Sequence, residues 1–94
     1  MTLKWHRSDI YSFLYDDDAD GKTVLTILQL NGNEYQVNLE CLNEQLRIHA
    51  GSMAIAEWSA VNSLYSYCNQ KANYYHRIRD HLPSVRELAE RAGI

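Results

Sequence analysis

Thr23-Val24-Leu25-Thr26-Ile27-Leu28-Gln29-Leu30-Asn31-Gly32-Asn33-Glu34-Tyr35-Gln36-Val37-Asn38-Leu39 carries two β-type runs separated by Asn-Gly. β-Branched, aromatic and leucine side chains suit a pleated, half-buried surface. Asn-Gly between such runs predicts a two-residue type I′ hairpin, because that turn needs positive φ at both central positions. In that register Leu30 faces Asn33, Leu28 faces Tyr35, Thr26 faces Val37 and Val24 faces Leu39. The core face would hold Val24, Leu28, Leu30, Tyr35, Val37 and Leu39. Leu25, Ile27 and Gln29 would share the opposite face with Glu34, Gln36 and Asn38. A slip of one residue reverses the face of every side chain in a strand.

Upstream, Ile10-Tyr11-Ser12-Phe13-Leu14-Tyr15 reads as a further strand, joined to the hairpin by the acidic turn Asp16-Asp17-Asp18-Ala19-Asp20-Gly21. Downstream, residues 40–50 carry two patterns. Leu46, Ile48 and Ala50 alternate as a fourth strand would, whereas Leu39, Leu42 and Leu46 fit a helical turn; the strand is favoured. After Gly51 the period changes. Ala54, Trp58, Val61, Tyr65, Cys68, Ala72 and Tyr75 recur at steps of four and three, as one helix face does. Met53, Ala60, Leu64, Tyr67, Tyr74 and Ile78 widen that stripe, and Ser52 can cap its start. A helix over 52–80 would run about 43 Å. It must cross the sheet, bend near residues 69–73, or project. His81-Leu82-Pro83 stops it, and Ser84-Val85-Arg86-Glu87 is a capping box opening a short helix over 84–92 that ends at Gly93. The expectation is one α+β domain over residues 1–94. An antiparallel meander of three to four strands (about 10–50) precedes a long helix packed on the sheet and a short C-terminal helix.

Composition agrees with a single core. Of 94 residues, 46% are hydrophobic and only one is proline, so apolar burial can offset the ordering entropy without staples. Cys41 and Cys68 match no metal-ligand spacing, the first residues lack a signal-peptide apolar region, and no apolar run approaches a bilayer span. These features predict a reduced cytoplasmic protein; a secreted protein with one disulfide is the alternative.

Charge is unevenly placed. Residues 1–57 hold four Lys/Arg against nine Asp/Glu, and residues 58–94 hold five against three. Asp16, Asp18, Asp20 and Gly21 match positions one, three, five and six of a calcium loop, but Ile27 stands where a bidentate glutamate is needed. The stretch reads as a solvated turn or an acidic recognition loop. His6, His49, His76 and His81 form no paired zinc spacing. Neither cysteine has flanking cations to activate it. No catalytic residue, metal site or cofactor is therefore expected.

Lys71, Tyr74, Tyr75, His76, Arg77, Arg79 and His81 mix cations with aromatics, a combination suited to phosphate contact and base stacking. The terminal stretch Ser84-Val85-Arg86-Glu87-Leu88-Ala89-Glu90-Arg91-Ala92-Gly93-Ile94 resembles the first helix and turn of a helix-turn-helix DNA-binding motif. The sequence ends where a recognition helix should begin, and without one nothing would enter the major groove, so the stretch is read as a capped helix. If the long helix covers only one face, Leu25 and Ile27 on the predicted outer face would join aromatics such as Tyr11 or Phe13 in an exposed apolar patch; the alternative is that the terminal segments, including Trp5 and the last helix, cover that face.

The leading expectation is a small non-catalytic protein-binding or inhibitory protein that occludes a partner's surface. Within that class, its size and character suit an antagonist, for example a phage or mobile-element protein directed against a host defence or nucleic-acid-binding machine. Its contact candidates are Asp16, Asp17, Asp18, Asp20, Glu34 and Glu40, facing a basic protein surface, with Leu25 and Ile27. The second expectation is a nucleic-acid contact through Lys71, Tyr74, Arg77 and Arg79. The third is a homodimeric structural module built on the long helix or the spare sheet face.

Overall fold

The computed structural model describes residues 1–18, 20–69 and 74–94, with the backbone alone for residues 74–76. Five strands form one antiparallel sheet in sequence order: β1 (Leu3–Arg7), β2 (Tyr11–Asp16), β3 (Lys22–Gln29), β4 (Glu34–Leu39) and β5 (Glu44–His49). Helices α1 (Met53–Asn69), α2 (Tyr74–His81) and α3 (Val85–Ala92) follow. The α+β class and the order of meander, helices and short terminal helix are those expected from the sequence.

Residues 40–50 follow the favoured strand reading, with Leu46 and Ile48 in β5 and only one short turn before it. Glu40–Leu42 is a 3-10 turn, Asn43 takes a left-handed conformation at φ 54°, and the chain then enters β5. The meander also gains β1, where Leu3 and Trp5 alternate with the exposed Lys4 and His6.

The β3–β4 register departs from the two-residue hairpin. Ile27 faces Val37 and Leu28 faces Gln36, one position away from the expected pairing. The turn's own chemistry supplies the extra residue. Asn31 Oδ1 accepts from the backbone N–H groups of Asn33 (3.2 Å) and Glu34 (3.1 Å), and Leu30 N–H donates to Glu34 O at 2.8 Å. An asparagine side chain standing in for a backbone acceptor builds an Asx turn, and Gly32 does not take positive φ.

The slip reverses the faces of β3. Leu25 and Ile27 are fully buried, whereas Leu28 and Leu30 are 40% and 41% exposed. Leu25 and Ile27 therefore cannot form the outer patch expected of them. A bulge makes this arrangement efficient. Leu14 faces Leu25 but Tyr15 faces Thr23, so Val24 is the extra residue and it too turns inward, 4% exposed. Two residues opposite one is how a bulge re-aims side chains.

Helix α1 lies over this inner face with Leu14, Val37 and Leu39. Its buried residues are Ala56, Glu57, Ala60, Val61, Leu64 and Cys68. Val61 and Cys68 of the expected stripe and Ala60 and Leu64 on its flank are among them, whereas Ala54, Trp58 and Tyr65 are only half-buried, and the buried set adds a carboxylate. Ser52 Oγ accepts from Ile55 N–H at 3.2 Å, as a cap. The long axis of the molecule is 36 Å, shorter than a single helix over 52–80 would be. Residues 70–73, where a bend was expected, lie outside the described residues. Arg79 Nη1 reaches back to Asn69 Oδ1 at 3.1 Å. At α3, Ser84 Oγ accepts from Glu87 N–H and Gly93 closes the helix at φ 77°, as the sequence indicates.

The register has a direct test. Ile27→Ala should cost about 2–5 kcal/mol of stability in urea unfolding, the usual range for emptying a buried aliphatic site. Leu28→Ala should cost less than about 1 kcal/mol, as exposed positions do. The reverse order would restore the two-residue turn.

Candidate functional site

Glu57 is the buried charge around which three elements meet. Its side chain is fully buried. Oε1 accepts from Arg7 Nε (3.1 Å), Arg7 Nη2 (2.9 Å) and Arg91 Nη1 (3.1 Å), while Oε2 accepts from Arg7 Nε (2.8 Å) and Ser12 Oγ (3.0 Å). Arg7 comes from the end of β1, Ser12 from β2 and Arg91 from the last turn of α3. The Arg7 guanidinium also sits 5.0 Å from the centroid of the Trp5 ring, a cation–π distance. A carboxylate with both oxygens saturated and two cations beside it meets the conditions for a buried ion. The cluster joins sheet, α1 and α3.

A cleft of about 230 Å³ opens beside this cluster, lined by Trp5, Arg7, Pro83, Ser84, Glu87, Leu88 and Arg91. Its two guanidinium groups are offset by the carboxylates of Glu57 and Glu87, so the cleft is close to neutral. Among the described residues, no group of three or more His, Cys, Asp or Glu is placed to hold a metal ion.

The acidic loop is largely consumed within the fold. Asp16 is 7% exposed, and its Oδ1 accepts from the N–H groups of Thr2 and Asp18. Asp17 pairs with Lys4 at 3.0 Å. Asp18 Oδ2 accepts from Thr2 Oγ1 at 2.7 Å and lies 3.4 Å from the terminal ammonium. These partners hold the Asp18 carboxyl below its ordinary range, and the hydrogen bond and charge of Asp17 raise Lys4. Asp20 stays exposed, at φ 54°. Glu34 receives Asn31 Nδ2 and Arg47 Nη1, and Glu40 receives Thr26 Oγ1. The acidic candidates therefore divide into a tied group around β1 and β2 and others on the sheet's far strands.

The helical alternative is also tied in part. Arg77 is exposed, but Arg79 is engaged by Asp80 and Asn69, and the His81 ring meets Arg77 O at 2.8 Å. Lys71 and the side chain of Tyr74 lie outside what the structure describes.

The open sheet face expected from the sequence carries the aromatics Tyr11 and Phe13, with Leu28 and Leu30 in place of the buried Leu25 and Ile27. Helices cover the side of Leu14, Leu25, Ile27, Val37 and Leu39. The other side presents Tyr11, Phe13 and Tyr15 along β2, half-buried. His6 stacks on Phe13 with centroids 4.9 Å apart, and Tyr11 and Tyr15 flank Phe13 at 5.4 and 5.6 Å. Register adds Thr26, Gln36, Asn38, Gln45 and Arg47 beside this row, with Leu28 and Leu30 at one end. The Tyr-Phe-Tyr alternation of residues 11, 13 and 15 was the available signal.

Cys41 is half-buried and Cys68 buried, both as free thiols. Burial, then the neighbouring Cys68, pushes the Cys41 thiol up to about 11, and burial raises Cys68. Neither has the character of an activated nucleophile.

Glu57→Ala should cost about 3–5 kcal/mol in denaturant unfolding, because two guanidinium groups lose their carboxylate. Arg91→Ala should cost less, since Arg7 remains, and should speed amide exchange selectively over α3. Cys41 has a folded-state value above the ordinary 9.0, so the unfolded chain ionises first. Stability should fall as pH rises from about 9 to 11, and Cys41→Ala should flatten that slope in urea titrations.

No described helix is long and apolar enough to cross a membrane. Comparison with protein-family models, characterised proteins and solved structures found no significant match.

Proposed function

We propose that this protein is a small non-catalytic binding or inhibitory protein that occludes a protein partner with the open face of its sheet. The observation that carries this reading is the division of the sheet. One face is closed by helices. The other leaves an aromatic row, two exposed leucines and a set of amide side chains facing solvent.

Tyrosine and phenylalanine beside uncharged polar groups are the residues enriched at protein interfaces, where ionic side chains are depleted. On this face Lys4 is paired with Asp17 and Arg47 with Glu34. The face therefore has little free positive charge for a phosphate backbone, which favours a protein partner over nucleic acid. The acidic residues act as a flank, with Asp20 and Glu40 steering a basic rim of the partner. Unbridged Cys41 and Cys68 fit a reducing, cytoplasmic setting.

The test is a tagged pull-down from bacterial lysate with and without nuclease, run beside the double variant Tyr11→Ser, Leu28→Ser. A stoichiometric protein should survive nuclease and be lost by the variant, whose circular dichroism should match the parent. Charge reversal at Asp20 should slow capture without abolishing it. Material released by nuclease would replace this reading with a nucleic-acid one.

A further inference from the structure

The edge strand β5 has a bonding pattern that can be read residue by residue. Ala50 N–H donates to Asn33 O at 2.9 Å, continuing the register in which Tyr35 faces Ile48 and Val37 faces Leu46. Bonded pairs alternate along an antiparallel ladder. Glu44, Leu46 and Ile48 therefore spend their N–H and C=O groups on β4. Gln45, Arg47 and His49 direct theirs away from the sheet. No hydrogen bond to those six groups occurs among the described residues.

An edge of this kind is usually blunted by charged side chains, proline, a bulge, a very short strand or a covering segment. β5 has six residues, no proline and a regular register; of its two charged side chains, Glu44 lies at one end and Arg47 is paired with Glu34. The opposite edge differs: beside β1, Trp5 and Arg7 share a cleft with α3, and Arg7 and Arg91 share Glu57.

We propose that two copies of the chain join through β5, antiparallel about a two-fold axis at Arg47, to form one ten-stranded sheet. This inference stands independently of the open-face reading. Three observations select a second copy as the occupant. The first is that the outward set is symmetric about Arg47. With Arg47 opposite the partner's Arg47, Gln45 lies opposite the partner's His49, and all six outward groups find mates. The second is that the same register sets Leu46 opposite the partner's Ile48, twice, on the helix-covered side. Both residues are half-buried in one copy and pack against its core, so the apolar layer would continue across the junction. The third concerns charge. Each Arg47 guanidinium lies 3.4 Å from Glu34, so the axis brings together two ion pairs rather than two bare cations. Such an isologous contact is self-complementary by construction. Its area is well below the roughly 800 Å² per partner of a standard interface, so association is weak and rises with concentration.

Light scattering and amide exchange by NMR, both followed from micromolar to millimolar protein, test this together. The expected result is a mass that doubles with concentration. The Gln45, Arg47 and His49 amides should slow in step by about tenfold or more, as the free edge becomes rare, while Glu44, Leu46 and Ile48 stay protected throughout. Arg47→Pro removes one outward donor and leaves every β4 bond in place, which an edge strand tolerates; it should hold the protein monomeric. The double variant Gln45→Lys, His49→Lys sets like charges opposite one another without touching the backbone, and should do the same. A monomer at millimolar concentration overturns the proposal. So does a dimer whose three outward amides exchange at the dilute rate, or one that survives both variants. A monomer that still captures its partner through Tyr11 and Leu28 would leave the proposed function standing.

Discussion

A carboxylate taken wholly out of water governs how this molecule is assembled. Removing Glu57 from solvent costs several kcal/mol unless cations and donors replace the lost hydration. The replacements come from residues 7, 12 and 91, so the cost is offset only when β1, β2 and α3 are all docked on α1. Hydrophobic burial is non-directional and would accept several packings of three amphipathic helices on a sheet. A carboxylate that needs Arg7, Ser12 and Arg91 at 2.8–3.1 Å accepts far fewer. The cluster thus supplies registry to a core whose remaining members are interchangeable apolar side chains.

The same arrangement decides which surface remains. With the helices fixed on one side, the sheet is asymmetric: leucine, valine and isoleucine inward, an aromatic and amide layer outward. Acidic residues that look like a recognition loop in the sequence are drawn into the β1–β2 end, where Thr2, Lys4 and the terminal ammonium take up three carboxylates. The charge survives in the net balance, but its reach is shortened by these pairings. The half-buried row of Tyr11, Phe13 and Tyr15, and not the loop, is then the broad solvent-facing feature of the sheet.

What could be read from the chain follows physical locality. The capped ends of α3, the serine cap of α1 and the extent of β4 depend on residues a few positions apart, and all were legible. The order of meander and helices was legible for the same reason. The β3 face was not, because Val24, Leu25, Ile27, Leu28 and Leu30 place apolar side chains on both parities. Alternation alone cannot choose between them. The choice rests on the Asn31 side chain and on a bulge opposite Leu14, both invisible to a pattern of period two. Glu57 sits near a helix start, where any carboxylate is favourable, and its partners lie 50, 45 and 34 residues away. No local pattern announces such a meeting.

The doubled apolar pattern of β3 has a kinetic meaning as well. A strand that can offer either of two hydrophobic faces gives the early hairpin two zippering modes, separated by a single residue. In one of them Leu28 and Leu30 turn inward, and α1 would then meet a surface of the wrong shape. Exchange between the two modes requires the ladder to unzip and close again, so the Asn31 turn and the Val24 bulge select one register against the other. The leucines left on the open face are the residue of that second mode. They give a surface suited to binding and, in the same chain, an alternative that folding has to reject.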